Sequence, residues 1–439
     1  MEDPKREIPA QSRSWYRLDT SAKIYPALES PENTNVFRFS MTLREDVDEA
    51  LLLEAMNAVR PRFPYFHVHL RTGFFWHYLE RNDNPLLLWP ETPYPCERLY
   101  PVYNNGFLYR VRVYRRRIAV EFSHILTDGS GGMEFLKTLT AQYLMMKGEL
   151  SAFPDGIINP ADTADPREYE DAFMRVLEIE KDRINKIPRQ RTLFQPDPVF
   201  KMRGKLLPLG AFRIVTGTAS VEDLKKIAKK FGLTITELLA ALYTEALLHI
   251  QFRQQRNPRK YRPVGMEIPV NMRSLYPLPA MGNFSLFVVP RFEPRMITEF
   301  SDIGEILKNY MKQHICKEHL LSMSIDNCAL GENPFIRHTP VFIKDMVIRY
   351  LSQTQGHAQF SGTISNLGAV QLPPEMEAHV EDMAFMLGPP TQTLTSCAVL
   401  GYKGEIRINF GRVAKDTPVE RHMFRRLVEL GAAVRLTSN

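Results

Sequence analysis

The stretch RIAVEFSHILTDGSGGMEFL, residues 117–136, joins the patterns of a strand, a turn and a helix. Apolar residues at 118, 120 and 122 alternate with smaller or polar ones, as on a strand with two different faces, and His124 closes the run. Asp128 and Gly129 follow in the turn, where glycine permits backbone angles that other residues resist. The apolar spacing after Gly129 suits a buried helix face. A strand that turns directly into such a helix predicts layered α/β packing.

The chain has 439 residues, which is too long for one ordinary core and predicts two domains. Both halves mix strand and helix patterns, and the segment between them is broken by proline, aspartate and glycine. We therefore predict an N-terminal domain over residues 1–155, a linker with a helix over 156–205, and a C-terminal domain over 206–439. In the second half, a capping box predicts a helix start at Thr234, and one long helix is expected over residues 302–324.

The basic run YRVRVYRRR predicts a hairpin whose arginines face water. Arg110 and Arg112 alternate with valines, which is typical of the solvent side of a strand. The arginines at positions 115–117 would then form the turn. This interpretation leaves the basic run as a solvated surface feature rather than a binding site.

Composition excludes several classes of protein. No apolar run reaches the roughly 18 residues that a membrane helix needs, and the N-terminus lacks the apolar segment of a secretory signal, so we expect a cytoplasmic protein without a transmembrane segment. The net charge of +6 is a mild excess for this length and gives no ground for a nucleic-acid partner. We expect free and buried thiols, because the four cysteines are scattered without a CxxC pair.

Motifs of other enzyme classes are absent. The chain has no GxSxG, no phosphate-binding GxxxxGK[ST], no GxGxxG and no HExxH. His67 and His69 share one strand face, but no third ligand can be located, so we expect ordinary strand histidines and no metal. The glycines after Asp128 fit a phosphate cradle and a tight turn equally well at this point.

Four short motifs occur in a fixed order. The first is HxxxDG, from His124 to Gly129, and the others are IPVNMRS, MGNFSLFVVPR and TISNLG. In this order they resemble the CoA-dependent acyltransferase superfamily, which includes chloramphenicol acetyltransferase, BAHD-type plant enzymes, peptide-synthetase condensation domains and alcohol O-acetyltransferases. The resemblance extends from about residue 15 to about residue 430. HxxxDG is the most specific of the four motifs.

The resemblance implies a fold and an activity. The fold would be two chloramphenicol-acetyltransferase-like α/β domains, each a mixed sheet with helices, forming a pseudo-dimer with an interdomain tunnel. The activity would be acyl transfer from acyl-CoA, with acetyl-CoA as co-substrate, to a small alcohol, without an acyl-enzyme and without a permanently bound cofactor. We expect a free-standing monomer. Ser123, where condensation domains usually carry another histidine, favours the acyltransferases with a single histidine, and the missing DFGWG motif argues against the plant branch. The chain is then expected to be closest to the alcohol acetyltransferases.

The resemblance also implies roles for individual residues. His124 would be the general base, because an imidazole titrates near working pH. Asp128 and Gly129 would shape the loop, with Asp128 paired to Arg273, although Asp128 could also cap the following helix. The tetrahedral intermediate needs hydrogen-bond donors for its oxyanion. Candidates for that role, left unranked, are Asn283, Ser285, Ser365 and Asn366.

Two other functions remain open. One is amide-forming N-acylation or condensation, with an amine acceptor and a donor bound to an acyl carrier protein. The other is a degenerate member that binds a ligand without catalysis. The presence of His124, Asp128 and Arg273 argues against a member that only binds a ligand.

Overall fold

The computed structural model describes residues 14–184, 187, 198–352, 354, 359–390 and 393–439. The remainder of the predicted linker, including residues 188–197, lies outside the described residues. The strands are β1 Trp15–Arg17, β2 Val36–Leu43, β3 Val68–Thr72, β4 His77–Arg81, β5 Leu88–Pro90, β6 Tyr109–Tyr114, β7 Arg117–Ser123, β8 Arg213–Ser220, β9 Val264–Asn271, β10 Ser285–Val288, β11 Arg291–Phe292, β12 Gly362–Ala369, β13 Val380–Leu387, β14 Thr395–Tyr402, β15 Glu405–Arg412 and β16 Val434–Ser438.

Helices alternate with these strands in both halves of the chain. They are α1 Tyr25–Leu28, α2 Glu49–Val59, α3 Gly129–Lys147, α4 Ala172–Ile179, α5 Lys181–Ile184, α6 Val221–Lys230, α7 Ile235–Gln254, α8 Phe300–His314, α9 Lys317–Glu332, α10 Pro334–His338, α11 Val341–Leu351, α12 Pro374–Glu377 and α13 Pro418–Glu429. Within the described residues, no single helix is long and apolar enough to cross a membrane, although the bent pair α6 and α7 passes by length and composition.

The strands form two large sheets, each with its own hydrophobic core. The first sheet has the order β13-β2-β7-β6-β5, and the second runs β10-β9-β12-β14-β15-β8-β16 with β11 paired to β9. β1, β4 and β3 form a small third sheet. Helices α2 and α3 cover the first core and α7 fills the second, because apolar residues dominate their buried faces. The mixed α/β layers agree with the expected fold class.

The two halves are interlocked by β13. This strand follows most of the second sheet in the sequence, yet it pairs antiparallel with β2 at the edge of the first sheet. The predicted domain limits remain a prediction, and they apply to the bulk of each half rather than to this strand.

The predicted hairpin forms, but its arginines do not face water. β6 and β7 pair antiparallel with Arg115 in the turn. Arg110 and Arg112 are buried, so the expectation of a solvated face is wrong. The reason is Glu121, which lies opposite Arg110 in β7 and accepts hydrogen bonds from both arginines at 2.8 and 3.1 Å. Alternation identified the polar face of the strand correctly, and a buried ion-pair network satisfies that face instead of water.

The charge network around Glu121 also includes Arg38 of β2, whose Nη1 lies 3.4 Å away. Burial opposes ionisation of Glu121, but the three arginines outweigh it and lower the pKa of this carboxyl to about 2. Glu121 is therefore the buried counter-ion of the first sheet.

Local helix signals gave mixed results. The capping box of Thr234 and Glu237 opens α7 as predicted. The single helix expected over residues 302–324 is wrong, because the chain leaves helical geometry at Ile315 and Cys316 and forms α8 and α9 instead. No glycine or proline marks this break in the sequence. Among the described residues, which include all four cysteines, no disulfide is formed, and three of the cysteines are buried.

Candidate active site

His124 follows β7 directly and is fixed by its backbone and by ring packing. Its amide donates to the carbonyl of Asn35 at 2.8 Å, and its ring lies between Tyr25 and Phe37 at centroid distances of 5.2 and 4.6 Å. Within the described residues the enclosed Nδ1 has no hydrogen bond of normal geometry. The imidazole is half-buried, and the two aromatic rings restrict its tilt.

The environment of His124 favours the neutral imidazole. Burial lowers the pKa of His124 below its ordinary value, and the nearby charge of Asp128 only partly opposes this shift. A neutral imidazole has a free lone pair, which is the form that can accept a proton.

Asp128 is the N-cap of α3 and the partner of Arg273 at the same time. Its Oδ1 accepts from the amides of Ser130 and Gly131 at 3.0 and 3.3 Å. Its Oδ2 accepts from Arg273 Nη1 and from the amide of Phe284, both at 2.8 Å. The capping and pairing alternatives are thus not exclusive, because each uses a different oxygen. The amides at the start of α3 are occupied by this carboxylate, which favours the turn over the phosphate cradle.

Arg273 connects Asp128 to the loop before β10. Its Nε and Nη2 donate to the carbonyls of Ala280 and Gly282 at distances of 2.8–3.0 Å, while Nη1 holds Asp128. Burial alone would raise the pKa of Asp128, but the charge of Arg273 and hydrogen bonds to the carboxylate keep it below its usual value. The pair is nearly enclosed, with side-chain exposures of 15% for Arg273 and 6% for Asp128.

Asn283 and Ser285 belong to the same constellation, but their polar groups are engaged. The Nδ2 of Asn283 donates to the backbone carbonyl of His124 at 2.9 Å and to Asp19 at 3.0 Å. The hydroxyl of Ser285 donates to Asp128 at 2.9 Å. Both side chains therefore brace the loop that carries His124.

Ser365 and Asn366 lie on opposite faces of β12. The Nδ2 of Asn366 donates to Thr236 of α7, and its Oδ1 accepts from the amide of Gly368 in β12. Ser365 shares its face with Leu367, and Leu367 packs against Gly129 at the start of α3. Among the four oxyanion candidates, Ser365 is the one whose side chain makes no hydrogen bond with the part of the chain that the structure describes.

The glycines of the motif are required for space rather than for unusual backbone angles. Gly129 does not have a positive φ, so the reason expected for it is wrong. A β-carbon on Gly129 would lie 2.9 Å from Cδ2 of Leu367, which is a movable side chain. A β-carbon on Gly131 would lie 2.1 Å from the carbonyl oxygen of Met281, which is held by Thr127 Oγ1 at 2.5 Å. Gly131 is the stricter position, although the motif does not include it.

Three residues around the loop of His124 and strand β9 were not predicted from the sequence. Tyr25 stacks on His124 and carries no motif. Asp19 accepts from the backbone and side-chain nitrogens of Asn283, and burial together with the charge of Asp171 raises the pKa of Asp19 to about 7. Glu267 lies in the apolar strand β9, and a carboxylate between apolar neighbours was the one available signal.

His67, just before β3, and His69, within β3, both have structural partners. His67 is buried and bonded to the carbonyl of Phe63 and the hydroxyl of Tyr109, and His69 contacts Glu80 at 2.7 Å. Burial lowers the pKa of His67 to about 3. The described residues contain no cluster suited to a metal ion.

Sequence comparisons identify no relative of the chain. No family model matches it. No curated protein matches it significantly.

Solved structures do match. A starter condensation domain of rhizomide synthetase RzmA in complex with C8-CoA has a TM-score of 0.61 and 13% identity, over 95% of this chain and 94% of that chain. Polyketide synthase associated protein 5 from Mycobacterium tuberculosis has a TM-score of 0.57 and 14% identity, over 96% and 98%. The nonribosomal peptide synthetase FmoA3 has a TM-score of 0.57 and 14% identity over 98% of this chain, which spans only 44% of that synthetase.

This chain has the condensation-domain fold. It is a pseudo-dimer of two chloramphenicol-acetyltransferase-like α/β halves, as the motifs led us to expect. At these identities the likeness establishes the fold, and the chemistry has to be argued from the site.

Proposed function

We propose that this protein is an acyltransferase that moves an acyl group from acyl-CoA to an alcohol, with His124 as the general base. The observation that carries the proposal is a half-buried imidazole, whose pKa burial lowers, on a loop that the bonded pair of Asp128 and Arg273 holds in place. The fold neighbour bound to C8-CoA supports acyl-CoA as the donor and acetyl-CoA as one candidate. No resident cofactor is needed for this chemistry.

The reaction proceeds by direct transfer. Nε2 of His124 accepts the proton of the acceptor hydroxyl as its oxygen attacks the thioester carbonyl. The resulting tetrahedral intermediate collapses with cleavage of the carbon–sulfur bond, and the proton returns to the departing CoA thiolate. The products are an ester and free CoA, with His124 restored to its neutral state.

Asp128 acts as a brace rather than as a second catalyst. Its two oxygens accept five hydrogen bonds, two of them from the start of α3 and three from Arg273, Phe284 and Ser285. A carboxylate saturated in this way has little capacity to accept a further proton or to orient the imidazole. We therefore assign Asp128 and Arg273 to positioning.

For the oxyanion, we propose Ser365 ahead of the other three candidates. A donor must be free to turn toward the charge that develops on the thioester oxygen. The polar groups of Asn283, Ser285 and Asn366 are already used within the fold. Ser365 keeps its hydroxyl available on the face of β12 that is turned toward the start of α3.

Amide formation with a carrier-bound donor is the second candidate function. It is favoured by the condensation-domain neighbours, which include a segment of a peptide synthetase. The same base would then deprotonate an amine acceptor, and a carrier-protein thiol would leave instead of CoA.

A free-thiol release assay with acetyl-CoA against panels of alcohols and amines tests these alternatives. Thiol release that depends on an alcohol supports the first proposal, and dependence on an amine supports N-acylation. His124→Ala should abolish release without a change in Tm, while His379→Ala, at a half-buried histidine near β13, should leave it unchanged. Full activity of His124→Ala would refute the base assignment. No turnover of any acyl-CoA or carrier-bound thioester would favour a member that only binds its ligand.

A further inference from the structure

Strands β9 and β12 form a fork that opens toward the start of α3. They pair in parallel at Gly362 with Met266 and at Thr363 with Glu267, and then they separate. One arm ends at Asn271, whose amide donates to Ser130 at 3.1 Å. The other arm runs through β12 to the Leu367 contact with Gly129. We call this feature the strand fork, and both of its arms reach the first turn of α3, next to the loop that carries His124.

Glu267 lies at the apex of the strand fork. Its neighbours Met266 and Ile268 belong to the core of the second half, so the carboxylate projects from the opposite face of the sheet, beside Thr363. Oε2 accepts from Thr363 at 2.7 Å, and Oε1 has no partner among the described residues. The half-buried carboxylate also acts electrostatically on Tyr25, whose ring stacks on His124. Glu267 thus lies within electrostatic reach of the ring that stacks on the proposed base.

The nearest counter-charge does not satisfy Glu267. Lys201 interacts with it electrostatically, but the ammonium donates to the carbonyl of Phe360. In a close ion pair the pKa of the glutamate falls and that of the lysine rises. Here burial has the opposite effect, raising the pKa of Glu267 and lowering the pKa of Lys201 to about 8. The carboxylate is therefore under-compensated and would gain from an additional cation.

We propose that Glu267 is a specificity residue that binds a protonated amino group of the acceptor, so that the preferred substrates are alcohols with a remote ammonium. This inference rests on the proposed alcohol acylation and names its acceptor class. Asn271 lies four residues further along the strand than Glu267, which corresponds to roughly 13 Å at about 3.3 Å per residue. The ammonium and the reacting hydroxyl would accordingly lie several bonds apart, at the apex and at the mouth of the fork.

The test compares straight-chain alkanols with the same alkanols ending in a dimethylamino group. The tertiary amine is protonated at neutral pH and cannot form a stable amide, so ester formation is the one reaction measured. With acetyl-CoA, kcat/KM should favour the amino alcohols and should peak at one chain length. Glu267→Gln preserves the shape of the side chain and should reduce this preference about tenfold or more, as expected for the loss of a charge-assisted hydrogen bond.

Two further variants keep the inference falsifiable if Glu267→Gln is unstable. Lys201→Met removes the competing cation and should increase the preference for amino alcohols. Glu405 of β15 pairs with Arg435 of β16 at the protein surface. Glu405→Gln should therefore change neither the rates nor the preference. A preference that is absent in the unaltered protein, or that survives Glu267→Gln, overturns the role of Glu267 while leaving alcohol acylation intact. Absence of any transfer by the unaltered protein overturns the proposed function and this inference together.

Discussion

Replacing Asp128 with alanine tests whether this residue braces the loop of His124. The substitution removes the acceptor of five hydrogen bonds and leaves the guanidinium of Arg273 nearly enclosed without its carboxylate. We expect activity and stability to fall together, because the loop and the first turn of α3 lose their shared anchor.

The size of the effect follows from two contributions. Loss of an N-cap costs about 1 kcal/mol, and breaking a buried ion pair costs about 3–5 kcal/mol. The lower end applies to the pair, since Arg273 keeps its hydrogen bonds to Ala280 and Gly282. The free energy of unfolding should therefore decrease by about 4 kcal/mol. With an unfolding entropy of about 2.1 cal/mol/K per residue, Tm should fall by roughly 4 °C if the whole chain unfolds together, and by roughly twice that if one half unfolds alone.

Thermal unfolding and the thiol-release rate should be measured on the same preparations. Asp48→Ala is the matched control, because Asp48 caps α2 from an exposed position without an ion pair and should cost only about 1 kcal/mol. The double variant Asp128→Ala with Arg273→Ala should be less destabilised than the sum of the single variants, since the stranded charge is gone. Lost activity with an unchanged Tm would refute the brace and indicate a direct catalytic role.

Three other predictions concern the proposed base His124, the first sheet and helix α3. Burial lowers the pKa of His124, so kcat/KM should fall on the acid side with an apparent pKa below 6.5 and should not change with pH around neutrality. An apparent pKa above 6.5 would contradict this assignment. Glu121→Gln should destabilise the protein by about 3–5 kcal/mol in urea unfolding, while Glu381→Gln in an exposed pair should cost less than about 1 kcal/mol. Gly131→Ala should reduce both the yield of soluble protein and the activity far more than Gly129→Ala, because its new β-carbon would meet the Met281 carbonyl. Equal losses in the two variants would argue against this close approach.

Local features of the site could be predicted from the sequence. The strand, turn and helix around His124 depend on residues close in the chain, and alternation and helical spacing report such structure directly. The cap of α7 was predictable for the same reason. The association of Asp128 with Arg273, 145 residues apart, came from the resemblance of ordered motifs and not from any local pattern.

The errors have a common physical cause. Alternation showed that Arg110 and Arg112 share a face, but the sequence does not show that Glu121 and Arg38 bury that face. The expected reason for Gly129 was wrong because the limiting contact comes from Leu367, far away in the chain. The break between α8 and α9 has no local marker and could be recognised only in the folded chain.

The sequence by itself determined the strand, turn and helix that present His124 and the set of motifs that points to acyl transfer. The tertiary structure decided which of these side chains remain available. It satisfied the polar groups of Asn283, Ser285 and Asn366 within the fold and left the hydroxyl of Ser365 without a hydrogen bond to the described residues. It also placed Glu267 at the apex of the strand fork. Local patterns fix the direction in which a side chain points, whereas its hydration, pKa and free hydrogen-bonding capacity depend on what packs against it from elsewhere in the chain.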